Sequence, residues 1–205
     1  MLLDPRLTLE DAVTDLIPET DSLIAENFPL HMQAYFLADT YIRAFLREKL
    51  IRTLSDAGIP LSVYGGDWKK MPPLSGGNVS FHESVPYADT FSLMADAKIT
   101  LNIMPLFKNG SHDRIPSAML NKSVAVTDRS DLLTRLYQDG TDLIFYDTDH
   151  MELLPQQIFS LLSDEQRLSS IAEAGYESAK KNATWETTGQ RFFDILYKNG
   201  RMSSV

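Results

Sequence analysis

The sequence predicts an α/β domain in which a parallel sheet is flanked by helices, with a helical extension at the N-terminal side. Two observations point there. Beyond Gly58, short apolar runs alternate with stretches of helical spacing. Apolar runs alternating with helices imply a parallel sheet covered on both faces. Gly, Pro and Asp fall between the runs, where turns and helix starts need them.

The elements follow in order. Residues 1–57 read as the helical extension, with Thr8 and Asp11 as a first-turn cap and Pro18 and Pro29 punctuating short helices. From His31 to Ala57 the pattern is one long helix carrying Phe36, Leu37, Tyr41, Ala44, Phe45, Leu50, Ile51 and Leu54. A stripe this wide packs on two sides, as a core helix or as one that docks a partner or second domain. Gly58 supplies a stop and Pro60 prevents resumption, so the sheet domain spans 58–205. Its expected strands are LSVYG (61–65), VSFH (79–82), ITLNIM (99–104), SVAVTD (123–128) and LIFYD (143–147). Helices are expected from Pro86 to Asp96, from Asp113 to Asn121, and over 131–138, 155–162, 164–181 and 185–198. Pro155 suits a first helical position, and Ser163 with Gln166 forms a capping box.

Composition narrows the function. A chain of 205 residues, 43% hydrophobic, can bury a sizeable core. A net charge of −9 argues against a broad nucleic-acid footprint. The absence of cysteine excludes disulfides, thiolate metal sites and a cysteine nucleophile, and fits the reducing cytoplasm. The opening MLLDPRLTLED lacks the basic start and apolar run of a signal peptide, and no window reaches the apolar length of a membrane span.

Polar and basic residues gather where the ITLNIM strand ends. In an open parallel sheet, ligands bind at that edge, and a following helix N-terminus favours anions. Asp113 is placed to cap this helix, with Arg114 at its first position. The free amides of the first turn, with Arg114, Lys108 and His112, would then cradle a diphosphate. The competing reading is a surface turn in which Arg114 pairs with Asp113 or a neighbouring acid. Gly65-Gly66 ends the first strand, so backbone there can approach a ligand, or simply turn; His82 and Glu83 lie near the same edge. Asp147, Asp149 and His150 resemble a metal motif, but Asp149 with Glu152 reads as a helix cap and no metal is expected. Trp185, Phe192 and Phe193 read as core, and Lys180-Lys181 as complements to a helix dipole.

The run LNIMPLFKNGSHDRIPSAMLNKSVAVTD (101–128) resembles the donor-binding half of GT-B glycosyltransferases, most closely the spore-coat (CgeB-like) group of family-1-type transferases. VYGGDW (63–68), VSFHESVPY (79–87), DGTDLIFYD (139–147) and ATWETTGQRF (183–192) resemble further segments of that group in the same order. The resemblance implies a Rossmann-like half that binds a nucleotide-diphosphate sugar, a UDP-sugar foremost, as substrate without cofactor or metal. It places Arg114 at the arginine before the donor helix and Gly110 at the glycine near the phosphates. Ser117 and Asn109 stand where relatives have glutamates for ribose and sugar hydroxyls, and Lys122 stands where they have glycine. It assigns no catalytic residue here, because the catalytic base belongs to the acceptor-binding half. That half would come from further polypeptide or a partner chain; the alternative is a non-catalytic nucleotide-binding or partner-docking module.

Overall fold

The computed structural model describes residues 28–198 apart from 67, 69, 70, 72, 73 and 75. The expectations at Thr8, Asp11 and Pro18 therefore lie outside the described residues. Helix α1 (Phe28–Asp56) runs unbroken for 29 residues. Its second half supplies Ile42, Leu46, Leu50 and Leu54 to the main core from one face. Nearer its start Phe36, Leu37 and Tyr41 are exposed, so the wide stripe is covered only at one end. Gly58 terminates the helix at φ +81°, donating to the Ser55 carbonyl while Ile59 donates to that of Leu54. The left-handed residue and paired bonds form a Schellman stop, with Leu54 and Ile59 meeting in the core.

Strand β1 (Leu61–Tyr64) pairs in parallel with β2 (Val79–His82). Strands β3 (Ile99–Leu101), β4 (Val124–Asp128) and β5 (Ile144–Tyr146) form a second parallel sheet in that order. All five expected strands are present, but as two sheets. In a doubly wound sheet the first strand lies centrally, between the second and the fourth. Here β2-β1 take the third and second positions and β3-β4-β5 the fourth to sixth, and no described strand holds the central one. Among the described residues the sequence leading into β1 is the helix Phe28–Asp56, which supplies no strand there.

Burial follows from this division. Every residue of β4 and β5 is buried, with Val124 and Val126 in one core and Ala125 in the other, as the two-residue period of a strand requires. Tyr64, Phe81 and His82 of the smaller sheet are exposed instead, with Tyr64 stacked on His82. β3 is shorter than the ITLNIM run predicts. Its last ladder bond runs from Asn102 N–H to the Val126 carbonyl, after which the Met104 N–H is taken at 2.7 Å by the Asp128 carboxylate.

The helices are α2 (Tyr87–Asp96), α3 (Arg114–Leu120), α4 (Asp131–Leu136), α5 (Leu154–Leu162), α6 (Glu165–Asn182) and α7 (Trp185–Lys198). Ser130 caps α4 by accepting from Leu133 N–H. At α6 the cap is Asp164, which accepts from Arg167 N–H, and not Ser163, whose hydroxyl donates back to Phe159. Lys180 and Lys181 occupy its last turn. Trp185, Phe192 and Phe193 are exposed, Trp185 at 92%, which corrects the reading of these aromatics as core. Helical spacing reports an apolar face but not whether anything covers it.

Candidate anion site at the strand ends

A buried polar network crosses the C-terminal ends of β3, β4 and β5. Asn102, 2% exposed, stands one residue past β3. Its side-chain N–H donates to Thr127 Oγ1 at 3.0 Å, and its carbonyl accepts the Tyr146 hydroxyl at 2.9 Å. Its Oδ1 accepts from Arg114 Nη1 at 2.6 Å. Beside it, Asp128 ends β4 with Oδ1 on Met104 N–H, while Oδ2 is buried without a hydrogen bond and lies 3.9 Å from Lys108 Nζ. Burial pushes the Asp128 carboxyl above its ordinary range. Burial, and then the Asp128 charge, pushes the Tyr146 phenol well above its own.

The loop from Met104 to Asp113 is tied down at several points. Its Leu106 adopts φ +69°, a strained value for a branched residue. The Lys108 carbonyl accepts from Asp131 N–H at 2.8 Å, and that of Gly110 accepts the Ser130 hydroxyl at 2.6 Å. A Cβ at Gly110 would meet the outer end of the exposed Phe107 ring, which would have to swing aside. Asn109 is exposed on this loop, and Ser117 is half-buried on α3.

The expected cradle of free amides does not form. Asp113 takes no capping role; its carboxylate accepts the Tyr87 hydroxyl at 3.1 Å and lies 2.6 Å from His112 Nδ1. Arg114 N–H donates to that same His112 nitrogen at 3.1 Å, Ile115 N–H to the His112 carbonyl and Ser117 N–H to that of Asp113. Pro116 has no N–H, so the first turn is closed by local bonds. A single ring nitrogen cannot serve both neighbours: neutral it accepts from Arg114, protonated it donates to Asp113. Burial first, then Arg114, holds His112 below the usual 6.5, which favours the neutral cap.

What remains is side-chain charge. Arg114 is half-buried, and among the described residues no carboxylate pairs with it; Asp113 faces Tyr87 and His112 instead. Burial, followed by the nearby Arg47, lowers its pKa. Arg47 reaches this place from α1, and sequence reasoning missed it because nothing local links it to the loop. Asn102 and Asp128 were missed too, although a lone polar residue inside ITLNIM and a charge closing SVAVTD were available signals. By contrast Arg129 is held by Asp139 at 2.8 Å and Asp147 at 3.3 Å. It borders a shallow hollow of about 470 Å³ lined also by Arg135, Tyr137 and Phe145. Its charge is already answered.

Gly65 and Gly66 end β1 on the smaller sheet, Gly65 at φ +139° with its N–H on the His82 carbonyl and Gly66 N–H on Ser84 Oγ. The Tyr87–Asp113 bond links the segment after β2 to the cationic loop. Lys122 adopts φ +57°, the left-handed backbone that explains why relatives would carry glycine at this position. Asp149 caps no helix: the Thr148–Leu153 segment is a 3-10 turn whose cap position is Asp147, without a side-chain bond. Among the described residues no three His, Asp or Glu side chains converge as a metal site, and no helix is long and apolar enough to cross a membrane.

Parallel strands with helices on the larger sheet, and cationic side chains at its carboxyl edge, define a Rossmann-like α/β domain. Residues 43–194 match the glycosyl transferase-like family, and the chain belongs to that family. Sucrose-phosphate synthase from Thermosynechococcus elongatus is similar in fold, with TM-score 0.60 and 14% identity over 77% of this chain and 44% of that one. HepE from Anabaena in complex with UDP-glucose matches at TM-score 0.58 and 17% identity over 71% of this chain and 44% of that one. HepE in complex with UDP gives TM-score 0.52 and 20% identity, over 60% and 33% of the two chains. The chain thus spans less than half the length of these structures. No curated protein matches it.

Proposed function

We propose that the chain is the donor-binding half of a GT-B glycosyltransferase and takes a nucleotide-diphosphate sugar, a UDP-sugar foremost, at the carboxyl edge of β3 and β4. The observation that carries this reading is the half-buried Arg114 guanidinium, anchored by a neutral amide and, among the described residues, without an ion-pair partner. A buried charge without a partner is costly, and a bound diphosphate supplies that partner. Lys108 and Arg47 add positive charge around it, His112 stands beside it as a neutral imidazole, and Gly110, Asn109 and Ser117 line the same loop and helix. Gly65 and Gly66 offer backbone beside the nucleoside. UDP and UDP-glucose complexes of a protein of similar fold support the choice of donor.

In this reading the half contributes electrostatic stabilisation of the departing diphosphate, delivered by fixed side-chain cations without a metal. The acceptor and its catalytic base belong to the missing half or a partner chain, in the cytoplasm. The test is thermal unfolding with UDP, GDP and UDP-glucose. A ligand at about a hundred times its Kd stabilises the folded state by about 2.7 kcal/mol and raises Tm. Arg114→Ala abolishes most of that rise. No shift with any of the three would refute the proposal.

A further inference from the structure

We propose that Asn102 is the positioning residue of this site and that its neutrality keeps the Arg114 charge available to an anion. The inference rests on the donor-binding reading above and names the feature that makes it work. A half-buried guanidinium ordinarily meets a carboxylate. Position 102 is buried and ideally placed for one, yet it carries an amide whose Oδ1 takes a single N–H at 2.6 Å. That bond orients the guanidinium without neutralising it.

The amide itself cannot turn. Its N–H donates to Thr127 Oγ1, so the reverse orientation would set an NH2 group against the guanidinium, donor to donor. Its backbone is clamped between the Val126 carbonyl and the Tyr146 hydroxyl. Arg114 is therefore held through Asn102 by β4 and β5 together. Among the described residues Nε and Nη2 of Arg114 find no acceptor, which leaves a fork suited to phosphate oxygens. The charges near the guanidinium are Arg47 from α1 and Asp113, whose carboxylate is turned to Tyr87; His112 of its own loop is neutral.

The experiment is Asn102→Asp, with calorimetric binding of UDP and inorganic pyrophosphate from pH 7.5 downward, beside Asn102→Ala. The introduced carboxylate should pair with Arg114, leave Tm unchanged or higher, and weaken both ligands by about tenfold or more at pH 7.5. The deficit relative to wild type should close as the pH falls and that carboxylate protonates. Asn102→Ala, which frees the arginine without neutralising it, should show a smaller loss and no such pH-dependent recovery. Equal binding by wild type and Asn102→Asp overturns the role of Asn102, and so does a loss that accompanies a lower Tm and persists at every pH. Failure of the wild type to bind either ligand overturns the donor reading instead.

Discussion

Replacing Arg114 by alanine separates a functional arginine from a structural one through stability alone. The substitution removes one hydrogen bond between a charged donor and Asn102 Oδ1, a class of bond worth about 1.5–3 kcal/mol. Two effects oppose that loss. Arg114 is half-buried, so shortening it admits water to Asn102 Oδ1, and a water-mediated bond is nearly as good as a direct one. The guanidinium is also in an unfavourable place, because burial and Arg47 both act against its charge and only Asp113 acts for it. Removing it relieves that penalty. The terms nearly cancel, and the unfolding free energy should stay within about 1 kcal/mol of wild type. Urea titration with an unchanged m-value measures this directly. A loss above about 2 kcal/mol would refute the reasoning, because it would mean the fold itself already compensates the charge.

Tyr146→Phe deletes the hydroxyl that satisfies the buried Asn102 carbonyl and should cost about 1–3 kcal/mol in the same titration; no measurable cost would show that another donor reaches it. Asp128→Asn tests burial of a charge. The folded-state pKa of Asp128 is raised, so the folded chain holds that proton more tightly than the unfolded one. Its stabilising contribution is complete below the unfolded value of 3.8 and is lost as pH rises through the folded value. The variant cannot ionise but keeps an oxygen for Met104 N–H, so its stability relative to wild type should improve as pH rises from 3.8 through the folded value and then level off, and parallel profiles would count against the buried charge. Amide exchange tests the divided sheet. Gly65 and Asn102, bonded across to His82 and Val126, should exchange slowly, whereas Ser62, Tyr64, Ile99 and Leu101, whose N–H groups point away from their paired strands, should exchange fast. Uniform protection would mean one continuous sheet.

Elements that depend on local chemistry were legible in the sequence. The apolar runs located all five strands within a residue or two, except where Asp128 cuts β3 short, and Gly58 marked the end of α1 because only a left-handed residue closes that turn. Features that depend on what comes alongside were not. Strand runs do not say which edges meet, so two sheets read as one. The amphipathic spacing of Trp185, Phe192 and Phe193 gave a face without its cover. At the site, Arg114 was correctly placed at the start of a helix, while the capping chemistry was assigned to Asp113 although His112 Nδ1 performs it. Asp113 had a better donor in Tyr87, distant in sequence. Arg47 carried no signal at all, since the neighbour that gives it meaning lies on another element.

The misplaced polarity at the strand ends is the strongest internal argument for a ligand. Asn102, Thr127, Asp128 and Tyr146 place polar groups in a buried layer, and each is held by a specific bond at the carboxyl edge of the larger sheet. Local rules fail together in one place, as they do where a fold serves a site. That place adjoins β3, whose outer edge pairs with no strand among the described residues, so the polar cluster sits beside an open edge rather than in the middle of the sheet.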